Sequence, residues 1–149
     1  MKNLKTARPV ARLRQGRTDW YAFKNVTDES ADLLIYDEIG YWGVTAQDFV
    51  RELADLSTKN INLRINSPGG DVFDGIAILN ALRNHPATVN VTIEGLAASA
   101  ASFIAMAGET VTMARNSELM IHEPHAVAVG LNAAEMRDLA ERLDKVGDN

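Results

Sequence analysis

Apolar residues recur at every second position in two stretches of this chain, Ile61-Asn62-Leu63-Arg64-Ile65 and Val89-Asn90-Val91-Thr92-Ile93, and each reads as a strand. Between them Val72, Ile76, Leu79 and Leu82 fall at helical spacing, which predicts a helix over 72–84. Further strands are predicted at 20–25, 33–36, 110–113 and 118–121, and the second alternating run extends to 88–94. Thr45-Ala46-Gln47-Asp48 reads as a helix start, with Phe49, Leu53 and Leu56 on one face of a helix to about Ser57. A helix of small residues is predicted over 98–107. At the end of the chain Asn132 is placed as an N-cap and Glu135 as the third residue of a capping box. Met136, Leu139, Leu143 and Val146 then line one helical face, and the preceding Ala126-Val127-Ala128-Val129-Gly130 is small, apolar and strand-prone. Strands alternating with helices imply an α/β domain with a largely parallel sheet.

Composition narrows this without redirecting it. A chain of 149 residues with 46% hydrophobic and 23% charged side chains fits one globular domain. No apolar run approaches the roughly 20 residues of a membrane span, and the basic N-terminus lacks the apolar stretch of a secretory signal. The expected compartment is therefore the cytoplasm. There is no cysteine, which excludes disulfides and thiolate metal sites. The net charge of −5 conceals an asymmetry: residues 1–24 carry +6 and the remainder −11. Residues 1–18 are expected to form a basic, solvated arm and 19–149 the folded domain. Such an arm also suits nucleic acid or an acidic partner, but no motif with interleaved aromatics supports that alternative.

Three segments carry candidate chemistry. Ser99 lies in Gly95-Leu96-Ala97-Ala98-Ser99-Ala100-Ala101-Ser102, directly after a predicted strand and among side chains no larger than alanine around it. A hydroxyl at a strand-to-helix corner with small neighbours lets a carbonyl approach, and the helix start offers backbone N–H groups to an oxyanion. A tightly packed helix with serine as filler fits the segment equally well. Asn66-Ser67-Pro68-Gly69-Gly70-Asp71 forms a sharp turn at a helix entrance, where glycine lets bare backbone approach a ligand. Leu119-Met120-Ile121-His122 is a short apolar strand ending in the base that a serine nucleophile requires.

Taken jointly, INSPGGDVFDGIAI, GLAASAASFIAMAGE and LMIHEP resemble the Clp-type serine peptidases, in family order and at near-family spacing. Leu34-Ile35-Tyr36-Asp37-Glu38-Ile39-Gly40 and AASAASFIAMAGETVTM look like the branch of Clp-related phage head maturation proteases. The resemblance implies the Clp/crotonase-like spiral of β-β-α units, with a C-terminal handle helix. It also implies Ser99 as nucleophile, His122 as base, and the backbone N–H groups of Gly70 and Ala100 as the oxyanion hole. The expected substrate is a polypeptide, a capsid or scaffold protein in the phage branch, cleaved by a homo-oligomeric ring. A housekeeping Clp peptidase fed by an ATP-dependent unfoldase, or a non-catalytic oligomeric relative, are the alternatives. No cofactor and no metal are implied.

Ser102 is the rival nucleophile, less favoured because a helix interior has no free N–H groups. His125 is the rival base, and His85 reads as a solvent-facing turn residue. Ser67 is expected to hold its turn through side-chain-to-backbone bonding. Met106, Met113 and Met120 read as core, and Asp71 and Asp74 as complements to a helix dipole. The family places its triad aspartate beyond the handle helix, whereas the sequence ends at Asn149. Glu135, Asp138, Asp144 and Asp148 match no family site, so a fragment, a Ser-His dyad and an inactive relative all compete.

Overall fold

The computed structural model describes residues 20–40 and 45–148. β1 (Tyr21–Lys24) turns back into β2 (Ser30–Tyr36), and the turn is closed by the Thr27 N–H and hydroxyl, which both donate to the Ser30 carbonyl at 2.9 Å. α1 (Ala46–Ala54), β3 (Asn60–Ser67), α2 (Val72–Asn84), β4 (Thr88–Ala98) and α3 (Ala100–Ala105) follow. β5 (Thr110–Met113), β6 (Glu118–Met120) and α4 (Ala133–Gly147) complete the described chain. The sheet runs β1-β2-β3-β4-β5, with β6 also on β4. The β1–β2 pair is antiparallel and every other pair is parallel. β5 takes the first half of β4 (Asn90–Ile93) and β6 its last three residues (Leu96–Ala98), so β4 serves two partners in sequence.

The alternation in β3 and β4 sorts the two faces. Ile61, Leu63, Ile65, Val91 and Ile93 are buried, together with Leu33 and Ile35 of β2, and α1, α2 and α3 cover this face. Each such side chain contributes about 1.5–3 kcal/mol on burial. The β1 end of the core is aromatic, with the rings of Trp20 and Phe49 stacked at 5.8 Å and Tyr21 edge-on to Phe49 at 5.1 Å. α2 and α3 approach closely at Gly75, where a Cβ would lie 2.8 Å from the Phe103 ring.

The other face is polar and hydrogen-bonded across strands. Asn25 and Asn62 donate to the Asp32 carboxylate at 2.7 and 3.0 Å, and Thr110 donates to Asn90 at 2.9 Å. Glu94 accepts from the Tyr36 hydroxyl and from Arg64 Nε at 2.7 Å. The amides of Asn25 and Asn62, with Arg64 nearby, hold the Asp32 carboxyl below the ordinary carboxylate range despite a small opposing effect of burial.

Element boundaries follow the predictions closely for α2 and β5. β4 runs on to Ala98 rather than ending at 94, because β6 supplies a second partner. α3 is accordingly shorter than predicted, and α1 ends at Ala54 rather than Ser57. α4 forms with its predicted capping box, the Asn132 side chain accepting from Ala134 and Glu135 while Glu135 accepts from the Asn132 N–H. It buries no residue, so it is not a helix packed on its own domain. Residues 126–130 form no strand and lie exposed. Met106, Met113 and Met120 are exposed rather than core, because nothing described covers the outer side of α3, β5 and β6. The predicted basic arm, 1–18, lies outside the described residues.

Candidate active site

β2, β3 and β4 deliver Asp37, Ser67 and Ser99 to the same carboxyl end of the sheet, where parallel α/β folds bind ligands. Ser67 is fully buried; its hydroxyl donates to the Asp37 carbonyl at 2.6 Å and accepts from the Gly69 N–H at 3.1 Å, holding the turn as expected. Gly69 adopts φ +95° and packs directly on the serine corner. A Cβ there would sit 2.5 Å from the Ala98 carbonyl oxygen, 2.7 Å from Ser99 Cβ and 2.8 Å from the Ala100 nitrogen. Gly70 bridges in parallel to Ile39: the Ile39 N–H donates to Gly69 O at 2.7 Å and the Asp71 N–H to Ile39 O at 3.0 Å. That pairing uses the Gly69 carbonyl and the Asp71 N–H and makes no use of the Gly70 N–H. A Cβ on Gly70 would lie 2.0 Å from the Ile39 carbonyl, so no other residue fits. Asp71 does more than complement a dipole, since it caps α2 by accepting from Phe73 and Asp74 at 2.8 and 2.9 Å.

Ser99 is half-buried and held at φ +53°, ψ −125°, a conformation that L-residues rarely adopt and that costs about 1–3 kcal/mol. The neighbouring contacts impose it. Ser99 N–H donates to the Met120 carbonyl at 2.9 Å, and its own carbonyl accepts from both Ser102 N–H at 2.9 Å and Ser102 Oγ at 2.6 Å. Its side chain makes no capping bond to α3, so the hydroxyl remains available. A strained strand-to-helix corner of this kind presents a nucleophile outward. The rival hydroxyl is spent, because Ser102 is buried with its proton on the Ser99 carbonyl. Ala100 opens α3 and has no intrahelical acceptor for its N–H.

β6 ends at Met120, paired with Ala98, so His122 lies two residues past the end of the strand beside the Ser99 corner. His122 is exposed, and Nδ1 lies 2.6 Å from the Glu123 carbonyl. A carbonyl only accepts, so Nδ1 is the donor in this contact, and in a neutral imidazole so bonded Nε2 is the nitrogen left to accept a proton. No hydrogen bond joins His122 to Ser99. The His125 ring is 5.0 Å from that of His122. His85 is at the far end of the sheet and is half-buried rather than simply solvent-facing: Nε2 donates to Leu56 O at 3.2 Å and Nδ1 accepts from Ala87 N–H at 3.1 Å. It ties the end of α1 to the start of β4.

The structure thus packs the Gly69–Gly70 turn, through Gly69, against Ser99 and Ala100 and leaves His122 without a hydrogen bond to Ser99. The sequence reading passed over Asn66, which occupies an outward position in an alternating strand and carries no spacing signal of its own.

A model of the Clp protease family matches residues 15–149. The chain belongs to the Clp protease family. Among curated relatives, an ATP-dependent Clp protease proteolytic subunit of Leuconostoc citreum is 39% identical over 108 residues, covering 70% of this chain and 54% of that protein. The ATP-dependent Clp protease proteolytic subunit 2 of a Synechococcus strain is 36% identical over 110 residues, covering 68% of this chain and 55% of that protein. A solved structure of a ClpP1 point mutant from Listeria monocytogenes superposes with a TM-score of 0.62 at 28% identity, covering 77% of this chain and 64% of that one. The chain therefore spans about half the length of the curated relatives it matches. The Clp-like α/β fold is established by that neighbour and by the mostly parallel sheet.

Proposed function

We propose that this chain carries the peptide-hydrolysing centre of a Clp-type proteolytic subunit, with Ser99 as nucleophile, His122 as general base, and the Gly70 and Ala100 N–H groups as oxyanion donors. One observation carries the reading: Ser99 is held at a rare positive φ with an unspent hydroxyl, against a glycine turn that admits no side chain. In this mechanism Ser99 Oγ attacks the scissile carbonyl carbon as its proton passes to His122 Nε2. The carbonyl oxygen, now negative, is met by the two N–H groups, each worth about 10²–10³ in rate. His122 returns the proton to the departing amine nitrogen, and water hydrolyses the acyl-enzyme by the same route. The Glu123 carbonyl fixes the imidazole tautomer but adds no negative charge to stabilise imidazolium.

The relatives, proteolytic subunits of ATP-dependent Clp proteases, favour a subunit served by an ATP-dependent partner over a role in phage head maturation. The substrate in that reading is unfolded polypeptide, and the working form a ring of copies. The test is covalent. A fluorophosphonate should modify Ser99, and Ser99→Ala should abolish both modification and peptide cleavage, a loss exceeding about 10³-fold. Modification that persists in Ser99→Ala and disappears in Ser102→Ala would overturn the assignment.

A further inference from the structure

β3 and β4 pair residue for residue from Asn60–Thr88 to Ile65–Ile93, and the next pair is Ser67–Ala97. Two steps on β3 therefore answer four on β4, so Glu94, Gly95 and Leu96 bulge opposite the single residue Asn66. Continued regularly, the first register would set Ala97 level with Gly69. The two extra residues set Ser99 there instead, and the contacts of Gly69 with Ala98, Ser99 and Ala100 follow from that shift. The bulge is occupied by one side chain. Asn66 Oδ1 accepts from the Leu96 N–H at 3.2 Å, replacing the ladder bond that the extra residues interrupt. Oδ1 lies 2.5 Å from where the Cβ of any other residue at Gly95 would be, too close for one to fit without a shift.

Resting on the reading of Ser99 as nucleophile, we propose that Asn66 is a positioning residue: its side-chain oxygen pins the two-residue bulge of β4 and thereby registers Ser99 against the glycine turn. Asn66 touches neither reacting atom in this account and acts through Leu96 and Gly95. Loss of the pin lets the end of β4 slide relative to the turn, and displacement of a nucleophile by about 1 Å costs on the order of 100-fold.

The test uses protein expressed from the complete open reading frame and an alkyl fluorophosphonate as probe, with the maximal modification rate and the half-saturating concentration measured separately. Asn66→Ala should lower the maximal rate about 100-fold with little change in half-saturation, and Asn66→Asp, which keeps the acceptor oxygen, should restore most of it. Gly95→Ala should reproduce the loss by displacing the amide, and combining it with Asn66→Ala should add little further. Asn62→Ala, on the same face but within regular register, is the control for a general effect on the sheet. A folded Asn66→Ala that reacts at the wild-type rate, or an Asn66→Asp as impaired as Asn66→Ala, overturns the proposal. Should Asn66→Ala fail to fold, Gly95→Ala decides alone, and a wild-type rate there is equally fatal. Failure of the wild-type protein to react at Ser99 would instead count against the peptidase reading. The pin is then judged by the amide resonances of Ser99 and Ala100, which Asn66→Ala must shift and Asn62→Ala must leave in place.

Discussion

The part of the molecule before Gly108 and the part after it are built on different terms. In the first, β2, β3 and β4 bury one whole face under α1, α2 and α3. In the second, every residue of β5 and β6 is exposed, Ile121 is 77% and Val127 93% exposed, and α4 buries nothing. Ser99 and the N–H groups of Gly70 and Ala100, the proposed nucleophile and oxyanion donors, belong to the first part, whereas His122, the proposed base, belongs to the second. Half of the proposed chemistry is therefore held by a packed core. The other half depends on a segment whose apolar side chains have no described cover. The ring of copies proposed above would bury that surface at about 25 cal/mol per Å².

Histidine substitutions separate the two parts most sharply. His122→Ala should lower peptide turnover about 10³-fold while leaving the melting temperature unchanged, because the ring contributes a proton route and no packing. His85→Ala should do the reverse, preserving turnover and costing about 1 kcal/mol through its two lost bonds across α1 and β4. An active His122→Ala beside an inactive His125→Ala would transfer the base to the rival ring. Kinetics and thermal melts on the three variants suffice.

A second contrast is in stability. Ile65→Ala removes a fully buried side chain beneath the site and should cost about 2–5 kcal/mol in denaturant unfolding. Val127→Ala should cost nothing measurable in dilute protein. A comparable loss from both would mean that the exposed segment is packed after all. Association is probed by Leu139→Glu with Leu143→Glu on the stripe of α4. Light scattering should then move toward monomer, and activity should fall with it. A fully active monomer would separate the order of His122 from assembly.

How much of this was legible in the sequence follows the same division. Where alternation and helical spacing report on a single buried face, as in β3, α2 and the first half of β4, the predicted elements match the structure. The Asn132–Glu135 capping box was legible because both partners lie within four residues. Reading failed where structure depends on what lies alongside. Met113 and Met120 were assigned to a core by their apolar neighbours, yet β5 and β6 have no described layer over them. Residues 126–130 have strand composition yet pair with no described strand. Ser99, Gly70 and Ala100 were singled out through motifs, but the bulge of β4 opposite Asn66 is a property of two strands and invisible in either one.

The smallest expected effect concerns the polar face of the packed part, and its sign is fixed by Asp32. The Asn25 and Asn62 amides and the Arg64 charge favour the ionised carboxylate in the folded state, so its pKa is lower there than in the unfolded chain. The unfolded state accordingly binds a proton first as pH falls. The stabilisation from this residue is complete above the ordinary carboxylate range and is lost as pH drops through that range toward the lower folded value. Asp32→Asn removes the titration. The variant should be slightly less stable at neutral pH and should lose less stability than the parent between neutral pH and pH about 3. Unfolding midpoints in urea at the two pH values give the slope for each protein. Equal slopes would mean that the Asn25–Asp32–Asn62 cluster bonds the protonated acid as well as it bonds the carboxylate, and that the acid sensitivity of the packed part originates elsewhere.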